Sequence, residues 1–516
     1  MSDSMGEATP RSLLSESNGI AYLAGGCILL YTLYSIAIAV KNVYFHPLSH
    51  IHGPKLWIAF PLLKWLHVIR GDLDAKMVEW HEVYGPTIRI AAKELSFTGA
   101  QAWADTCGPK NNPELPKGFQ GLHDGRPRSM VEASTADHAR FRKALSYGFS
   151  ERAMRAQEGL IQGYINLLMK RLRDRADGVT PVDIAQWYDF TTFDIIGDLA
   201  FGQSFNGLRD ATLHTWIVNL FKMLQMAAIV RGTSEYPFLI SLAQRIVPRS
   251  IQKAADEHWD FAAQCIKRRL KDGSKQGRPD FVDAMSRNKG TEIEITEEEM
   301  VSNAFLILVA GSETTATLLS GVTYFLLKKP SILQRAQAEV RNTFKDEKEI
   351  TMTSVSANLP YMRACLDEAL RCYPPAPGSV QRVTVSPSTS IDGTVVPPGT
   401  YVSVHQSAAF WSERNFKRAR GFVPERWLPE HQREGGEFAN DDRAVHQPFS
   451  VGPRNCIGQN LANAEMRVIL ARVLWNFELV LAGTEEKKAG WVDQKTFLTW
   501  IKKPLMVTLK LRTWDV

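Results

Sequence analysis

The stretch PFSVGPRNCIGQNLA, residues 448–462, carries the strongest chemical signal in the chain. Gly452 and Pro453 predict a tight loop, and Cys456 lies just before a predicted helix with the sequence IGQNLANAEMRVILARVLWNF. A sulfur near a helix N-terminus and beside Arg454 is favoured as the thiolate. One thiolate cannot build a zinc site, which needs several ligands, but it can be the single axial protein ligand of a haem iron.

The other five cysteines have no such surroundings. They are scattered along the chain, so the sequence has neither a disulfide framework nor a C-x-x-C metal site. A buried, inert cysteine is the ordinary outcome for this residue type. We therefore assign no chemistry to Cys27, Cys107, Cys265, Cys365 and Cys372.

The 516 residues have the composition of a globular protein, with 44% hydrophobic, 10% aromatic and 22% charged residues. This excludes a disordered chain, a collagen and a membrane protein with many spans. The net charge of +6 is the difference between 61 basic and 55 acidic residues, and no long basic run accompanies it. The sequence therefore predicts no nucleic-acid partner.

An uncharged run of 22 residues, Gly19–Val40, predicts a membrane-spanning helix near the N-terminus. Such a helix is about 33 Å long, which is enough to cross a hydrocarbon core of about 30 Å and too long for a signal peptide. Pro47 and the Gly53-Pro54 pair then predict a stiff hinge. The predicted organisation is a lumenal segment (1–18), a transmembrane anchor (19–40), a Pro/Gly hinge (41–60) and one large domain (61–516).

The remainder of the chain predicts a mainly helical domain with small β-sheets. Alternating residues at 86–98 predict a strand pair, residues 137–345 are mostly helical, and residues 391–404 predict a hairpin with a Pro-Gly turn. Residues 496–512 predict extended chain. The predicted fold class is one large, mainly α domain, with a small sheet near each end, behind an N-terminal transmembrane helix.

One long helix is predicted to cross this domain. Thr296 and Glu299 form a capping-box pattern at its start, and Pro330 marks its end after Lys329. A helix of this length spans roughly 50 Å. A charge and several hydroxyls at its centre argue against a second membrane span, so we predict a helix buried in a soluble domain.

The cysteine loop resembles the haem-binding loop of the cytochrome P450 superfamily of haem-thiolate monooxygenases. Five positions match the pattern F-x-x-G-x-R-x-C-x-G, namely Phe449, Gly452, Arg454, Cys456 and Gly458. The resemblance extends from about residue 41 onward. It implies haem b as the cofactor, with Cys456 as the iron ligand and with Phe449, Gly452 and Arg454 contributing to the cofactor site.

A second motif, E-x-x-R at Glu368 and Arg371, places two opposite charges on one face of a predicted helix. In the family such a pair joins an arginine from a later loop, and the matching residue here is Arg426. The resemblance implies a structural role for all three, since a buried charge cluster is costly unless it is fully hydrogen-bonded. The same spacing recurs at residues 430–433, where we interpret it as a surface coincidence.

The centre of the long helix, AGSET at residues 310–314, resembles the oxygen-activation motif of the family. The resemblance implies that Gly311 leaves space for dioxygen. It also implies that Glu313 and Thr314 are catalytic residues that help to deliver protons. The Thr314 hydroxyl is expected to hydrogen-bond to the carbonyl of Ala310, which loosens the helix locally.

The segment DHARFRKALSYGFS, residues 137–150, resembles the helix that contacts the haem propionates in the family. His138 and Arg142 share one helix face and are suited to bind a carboxylate. His138 stands where many family members have tryptophan, so the sequence departs from the pattern there. By motif position, Arg382 and Arg454 are further cofactor-binding candidates.

The resemblance implies a monooxygenase that inserts one atom of O2 into an apolar small molecule by hydroxylation, epoxidation or successive oxidation. NADPH would supply electrons through a separate reductase, with cytochrome b5 as a further candidate donor, because the sequence shows no flavin- or nicotinamide-binding domain. Basic residues on the thiolate side are candidates for the docking surface of that partner. They are Lys417, Arg418, Arg420 and Arg454.

The hinge and the cysteine loop most resemble the fungal branch of the family that acts in secondary metabolism. This implies a single-pass protein of the endoplasmic reticulum membrane. Lys41 and Lys55 follow the apolar run, and the positive-inside rule then places the catalytic domain in the cytosol. By family position, a mostly apolar substrate pocket would draw on residues 117–130, Phe221–Ile240, Phe305–Ala310, Ala376–Val380 and Thr496–Leu498.

Two other functions are compatible with the sequence. The first is a haem-thiolate isomerase or dehydratase that needs no reductase, although the intact Glu313-Thr314 pair weighs against it. The second is a membrane-anchored haem-binding protein without turnover. NADPH-dependent oxygen uptake separates a monooxygenase from the first, and product formation after a substrate-induced spectral shift excludes the second.

Overall fold

A computed structural model of the chain describes residues 10–108, 114–118, 125–212, 225, 249–273, 280–484 and 490–513. Helices dominate these residues, and the predicted mainly α fold class is confirmed. The helices are α1 (Pro10–Tyr44), α2 (Lys55–Ala59), α3 (Leu62–Arg70), α4 (Leu73–Tyr84), α5 (Ala100–Cys107), α6 (Thr135–Leu145), α7 (Glu151–Arg173), α8 (Ile184–Phe201), α9 (Gly207–Asp210), α10 (Arg249–Asp272), α11 (Phe281–Ser286), α12 (Glu297–Lys328), α13 (Pro330–Thr343), α14 (Met352–Asn358), α15 (Pro360–Cys372), α16 (Gln406–Phe410), α17 (Pro429–Gln432) and α18 (Gln459–Asn476).

The strands are short and form four small sheets within the described residues. Their bounds are β1 (Thr87–Ala91), β2 (Glu94–Phe97), β3 (Val182–Asp183), β4 (Arg382–Val383), β5 (Ser390–Ile391), β6 (Thr394–Val395), β7 (Tyr401–Val404), β8 (Phe477–Leu481), β9 (Thr496–Phe497), β10 (Thr499–Trp500) and β11 (Met506–Leu511). The predicted strand pair at 86–98 and the predicted extended chain at 496–512 are both confirmed.

The helix α12 is the predicted long helix, and it lies at the centre of the domain. Its capping box is formed, because the Glu299 amide donates to Thr296 Oγ1 at 3.3 Å and the Thr296 amide donates to Glu299 Oε2 at 2.9 Å. The helix packs along α8 and also contacts α10, α13, α15 and α18. About two thirds (67%) of its most apolar window is buried, which supports a core helix and not a second membrane span.

The largest sheet has the strand order β1-β2-β7-β4, in which β2 and β7 are parallel and the other pairs are antiparallel. It combines residues from near the start and from the last third of the chain, with Glu94 opposite Tyr401 and Phe97 opposite Val404. A second sheet has the order β3-β11-β8. The expectation of a separate sheet near each end is therefore corrected, since both of these sheets join distant parts of the sequence.

The predicted hairpin at 391–404 is wrong in its turn and in its second strand. The strands β5 and β6 pair around Asp392 and Gly393, whose φ angles of 47° and 74° suit a two-residue hairpin turn. The strand β7 leaves this pair and lies between β2 and β4. The Gly399 amide donates to the Thr384 carbonyl at 2.7 Å, so the Pro-Gly turn redirects the chain toward the larger sheet.

The helix α1 includes the predicted membrane span. Within it, Tyr22–Tyr44 is apolar and long enough to cross a membrane, and only 6% of that window is buried. The chain then turns, and Gly53 passes so close to β1 that an added Cβ atom would lie 1.8 Å from the Arg89 carbonyl oxygen. The Pro/Gly segment after α1 therefore packs against the first sheet. Leu48, in this segment, is fully buried.

Two apolar cores position the elements described next. Side chains of α8, α12, α15 and α18 contribute to the larger core, and the smaller core lies under the four-stranded sheet. The cysteine loop contacts both cores. Val451 packs on the smaller core, while Phe449 and Ile457 pack on the larger one.

Candidate active site

The loop that precedes α18 is held in a tight conformation by its own backbone. The Cys456 amide donates to the Phe449 carbonyl at 2.9 Å, and the Asn455 amide donates to the Gly452 carbonyl at 3.1 Å. Gly452 has a φ of +78°, and an added Cβ atom would lie 1.7 Å from the Cys107 carbonyl oxygen. The loop thus requires glycine both for its backbone conformation and for its close approach to α5.

Cys456 is the accessible cysteine of the folded domain. Cys107, Cys265, Cys365 and Cys372 are buried, whereas Cys456 is exposed, and Cys27 is exposed on α1. Among the described residues, no group of three or more histidine, cysteine or acidic side chains is arranged to hold a metal ion. The geometry therefore presents one sulfur at the start of a helix as a single ligand.

The charged neighbour of Cys456 is Arg142 and not Arg454. Nearby protein atoms partly desolvate the Cys456 sulfur, which raises its pKa. A hydrogen bond from the Gly458 backbone and the charge of Arg142 act to lower it. Arg142 donates to the Asn455 carbonyl at 2.6 Å and to the Asn455 side chain. The helix α6 thereby fixes the residue next to the sulfur, and the expected contact of Arg454 with the thiolate is corrected.

Arg454 belongs instead to a group of basic residues on the other side of the loop. Arg454 Nε donates to Glu114 Oε1 at 2.6 Å, and Arg382 Nη1 donates to the same oxygen at 3.1 Å. Lys117 lies close enough that burial and repulsion from Arg454 and Arg382 lower its pKa to about 7. Burial, followed by the charges of Arg454, Lys117 and Arg142, lowers the pKa of His138 to about 4, so His138 is neutral near pH 7.

This basic group fits the carboxylates of a haem. Arg382 is 3% exposed, and its Nε atom is buried without a hydrogen-bond partner among the described residues. The two arginines and Lys117 repel one another while both arginines share a single carboxylate, and an anionic ligand would relieve that repulsion. With an accessible sulfur on the same loop, the donor set suits a molecule that carries both a metal and carboxylates. Lys117 was missed by sequence reasoning, because no motif marks it.

In the middle of α12, the motif residues Glu313 and Thr314 lie on different faces of the helix. Thr314 Oγ1 donates to the Ala310 carbonyl at 2.7 Å, as predicted. Thr314 and Ala310 both keep accessible surface, although the helix lies at the centre of the domain. Glu313 is only 3% exposed, and its side chain lies in the core instead. The structure thus places Thr314 on an open face and Glu313 in the core, because consecutive helix residues are about 100° apart.

Gly311 packs closely against a neighbouring helix. A Cβ atom added to it would lie 2.7 Å from Ile196 Cδ1 on α8. The missing side chain therefore allows α8 and α12 to pack closely. Gly311 itself keeps partly accessible surface, and the expected space for dioxygen beside it stays a prediction.

Glu313 is bound by residues that carry no sequence motif. Its Oε1 atom accepts from Lys502 Nζ at 2.7 Å and from Thr317 Oγ1 at 3.1 Å, and Lys502 Nζ also donates to Asp189 Oδ1 at 2.9 Å. Burial is the largest cause that raises the pKa of Glu313 to about 7. A sequence signal existed for Asp189, since it is an acidic residue within the mostly apolar α8.

The E-x-x-R motif forms a fully buried cluster, as the sequence predicted. Arg371 donates to both Glu368 oxygens at 3.0 and 2.7 Å, and Arg426 Nε lies 3.1 Å from Glu368 Oε2. Two further members were missed: Asp441 pairs with Arg426, and Trp427 Nε1 donates to Glu368 at 2.9 Å. Two arginines are therefore balanced by two carboxylates, which explains how the cluster tolerates complete burial. The second copy of the motif, residues 430–433, has both of its charged residues exposed.

Three of the predicted substrate segments meet at one cavity. Gly118, Gly378, Ser379 and residues 496–498 line a cavity of about 200 Å³, together with Gln381 and residues of α3, α4 and the first sheet. Its wall includes the Lys64–Glu94 ion pair and the contact between His405 Nε2 and Asp74 Oδ1 at 2.8 Å, so it is more polar than predicted. Phe305–Ala310 is absent from the described lining. Of the segment 117–130, the structure describes residues 117–118 and 125–130. Phe221–Ile240 lies outside the described residues, apart from residue 225.

The predicted docking residues divide into two groups. Lys417, Arg418 and Arg420 have exposed side chains near Glu437 and Glu82. Arg454 has a side chain that is only 9% exposed and is bound to Glu114, so its assignment to a docking surface is corrected.

Comparison with known proteins gives one consistent family. Residues 51–508 match the family described as Cytochrome P450. The Trichothecene C-4 hydroxylase of Trichoderma arundinaceum is 44% identical, over 93% of this chain and 96% of that protein. The Averantin hydroxylase of Dothistroma septosporum is 41% identical, over 96% of this chain and 92% of that protein. The Cytochrome P450 monooxygenase olcB of Penicillium canescens is 44% identical, over 93% and 97% respectively.

The match covers the cysteine loop, the central helix and the charge cluster in one continuous alignment. The relatives named above are fungal hydroxylases and monooxygenases. The chain belongs to the cytochrome P450 family of haem-thiolate proteins, and it is a monooxygenase that acts on small molecules.

Proposed function

We propose that this chain oxidises an apolar small-molecule intermediate of fungal secondary metabolism, with Cys456 as the iron ligand. The observation that carries the proposal is the accessible Cys456 sulfur at the start of α18, on the same loop as the basic group around Arg454. The names of two relatives, which specify a trichothecene and averantin, support a substrate of this general class.

The residues of the chain divide the work of holding the cofactor. Cys456 binds the metal, and Arg142 keeps the loop in place through Asn455. Arg382, Arg454 and Lys117 bind the carboxylates. Neutral His138 packs beside them, where it adds bulk and a hydrogen-bonding ring without a further positive charge.

A bound haem with a thiolate ligand supplies O2 activation, in which one oxygen atom enters a C–H or C=C bond and the other leaves as water. Thr314 holds a hydroxyl on the open face of α12, where it can relay a proton. Glu313 holds a proton in the core one residue earlier in the chain. We propose that both are catalytic residues that supply protons to the reacting oxygen.

The electron donor is proposed to be an NADPH-dependent reductase, with cytochrome b5 as a further candidate. Lys417, Arg418 and Arg420 provide an exposed basic surface after the E-x-x-R helix α15. Association through such charges weakens as salt screens them. A reductase-dependent rate that falls with ionic strength in the wild type, and falls less in Lys417→Ala, would support this surface.

The same proposal places the protein in the endoplasmic reticulum membrane with a cytosolic catalytic domain. The support is the exposed apolar surface of α1, which contains the proposed span 19–40. Residues 1–18 would then be lumenal, 41–60 the hinge, and 61–516 the haem domain.

The test of the iron ligand compares two cysteine variants of the full-length chain. Cys456→Ala is expected to abolish the reduced carbon monoxide spectrum that is typical of thiolate ligation, and to reduce product formation to background. Cys365→Ala is the control, because Cys365 is fully buried in the core, and it should keep both signals. A thiolate spectrum retained by Cys456→Ala would refute the assignment.

The test of the reaction feeds candidate pathway intermediates to a host that contains a reductase, with product detection by mass spectrometry. A monooxygenase adds one oxygen atom from labelled O2 and needs NADPH. A product formed without NADPH or O2 would instead indicate an isomerase or dehydratase, and binding spectra without any product would indicate a haem-binding protein.

A further inference from the structure

Three chain segments bring one largely buried ammonium group against one buried and one partly buried carboxylate. Lys502 Nζ lies 2.9 Å from Asp189 Oδ1 on α8 and 2.7 Å from Glu313 Oε1 on α12. It also donates to Thr317 Oγ1 at 3.2 Å. The side chains of Lys502, Asp189 and Glu313 are 8%, 15% and 3% exposed, so the interaction takes place in the core.

The charges of this cluster do not balance. Two carboxylates and one ammonium carry a net charge of −1 when all are ionised, and an isolated buried charge is costly. One further proton makes the cluster neutral. Glu313 Oε2 is the natural place for it, since this atom is buried and has no hydrogen-bond partner among the described residues.

The other titratable groups near the cluster do not supply the missing positive charge. Tyr373 on α15 feels the negative charges of Glu313 and Asp189, which contribute to its raised pKa, and its hydroxyl donates to Gln494. Asp183 lies at the start of α8 and is repelled by Asp189. Burial raises the pKa values of both Glu313 and Asp189, and the charge of Asp189 adds to the shift of Glu313, while Lys502 acts in the opposite direction on both; this agrees with a shared proton.

The position of Lys502 is set by aromatic packing. Lys502 follows β10, and the ring of Trp500 stacks on Tyr373 with 4.6 Å between centroids. Trp500 Nε1 also donates to the Pro374 carbonyl at 2.7 Å. The same segment includes residues 496–498, which line the cavity described above. The ammonium group is therefore held at a fixed place against α8 and α12.

We propose that Lys502 is a positioning residue for Glu313, and that Asp189, Lys502 and Glu313 together hold one exchangeable proton on the residue that precedes Thr314 in α12. The inference rests on the proposed role of Glu313 in proton supply. When the proton leaves Glu313 Oε2 for an acceptor on the Thr314 side, the carboxylate stays paired with the Lys502 ammonium, and a proton from water restores the neutral cluster. The cluster thus keeps one proton available on Glu313 and stabilises its carboxylate after the proton has left.

The test uses two variants that change the charge of the cluster in opposite directions. Asp189→Asn leaves one carboxylate and one ammonium, so Glu313 should lose its proton at a pH lower by about one unit or more. Lys502→Met leaves two carboxylates without a cation, so the same loss should occur at a pH higher by about one unit or more. A merely structural role would destabilise the protein in both cases without opposite shifts.

The primary measurement is the infrared band of the protonated carboxyl group in the full-length holoenzyme. Each spectrum is compared with that of the corresponding Glu313→Gln variant, so that bands from other buried carboxyls cancel. The second measurement is the pH profile of product formed per NADPH, which should shift in the same direction as the band. The infrared titration does not depend on turnover, so it separates failure of this inference from failure of the proposed reaction.

Arg269→Met is the matched control, because Arg269 also binds two carboxylates, Asp280 at 2.6 Å and Asp283 at 2.9 Å. It should leave the band of Glu313 and the pH profile unchanged. If Lys502→Met does not fold, the downward shift in Asp189→Asn decides alone. An unchanged titration in Asp189→Asn, or shifts of the same sign in both variants, would overturn the proposal.

Discussion

At the scale of single residues, Gly452 shows how closely the cysteine loop is fitted to the rest of the domain. Its left-handed φ of +78° is strained for any residue with a side chain. Its neighbour in space is the Cys107 backbone, which cannot rotate away as a flexible side chain would. Two independent constraints therefore act at one position, four residues before Cys456.

We expect Gly452→Ala to lose most of its haem and about 2–5 kcal/mol of stability, because the new methyl group clashes with backbone while φ is strained. Haem content per protein and chemical denaturation of the holoprotein measure this. Gly435→Ala is the control, since Gly435 has a similar φ of +82° but nothing within 4 Å of an added Cβ atom. That variant should cost about 1 kcal/mol and keep its haem. Equal losses in the two variants would show that strain and not the close approach matters.

Sequence reasoning found the residues of the site better than it found their partners. Cys456 was identified from a local pattern, but its charged neighbour is Arg142, which is more than 300 positions away in the chain. Asp441 and Lys502 were missed for the same reason, since each meets its partner only through the tertiary fold. A motif reports which side chains carry chemistry, and it does not report which distant charges surround them.

At the scale of elements, helices with local signals were predictable and strand partners were not. The bounds of α12 follow from its capping box and from Pro330, which are both short-range features. The strand β7 was assigned to the wrong partner, because its parallel neighbour β2, with Glu94 opposite Tyr401, lies far from it in the sequence. The close packing of Gly311 against Ile196 of α8 was likewise not predictable, because it depends on the approach of a distant helix.

The helix α18 contains a buried carboxyl group that makes stability depend on pH. Glu465 is 1% exposed, its Oε1 atom has no partner among the described residues, and burial raises its pKa to about 8. The folded state therefore keeps this proton at pH values where the unfolded chain has released it. Because the folded state binds more protons, stability falls as pH rises from the ordinary glutamate value toward about 8.

We expect Glu465→Gln to remove this penalty. The variant should gain about 3–5 kcal/mol relative to wild type between about pH 5 and pH 8.5, because a shift of one pKa unit corresponds to about 1.4 kcal/mol. Denaturation of the holoprotein at the two pH values measures the gain. The exposed Glu434→Gln serves as a control and should change stability by less than about 0.5 kcal/mol at both. A difference between wild type and Glu465→Gln that does not grow with pH would contradict the assignment.

At the scale of the whole molecule, the fold is one domain tied together across its length. The sheet β1-β2-β7-β4 joins residues near 90 to residues near 400, and β3 pairs with the C-terminal strand β11. Composition and motif order predicted a single domain, while the pairing that closes it required the structure. The helix α1 is the exception, since most of its described apolar side chains are exposed.

We therefore expect deletion of residues 1–44 to release the protein from membranes without loss of the thiolate spectrum. The cut follows the end of α1 at Tyr44 and precedes Leu48, the first fully buried residue. Sedimentation of membranes after a high-salt wash measures the release, and fusion of an unrelated apolar span to the truncated chain should restore sedimentation. If the truncated chain still sediments, a second contact exists, and the exposed apolar side chains of Leu56, Leu62 and Ile69 on α2 and α3 are where it would lie.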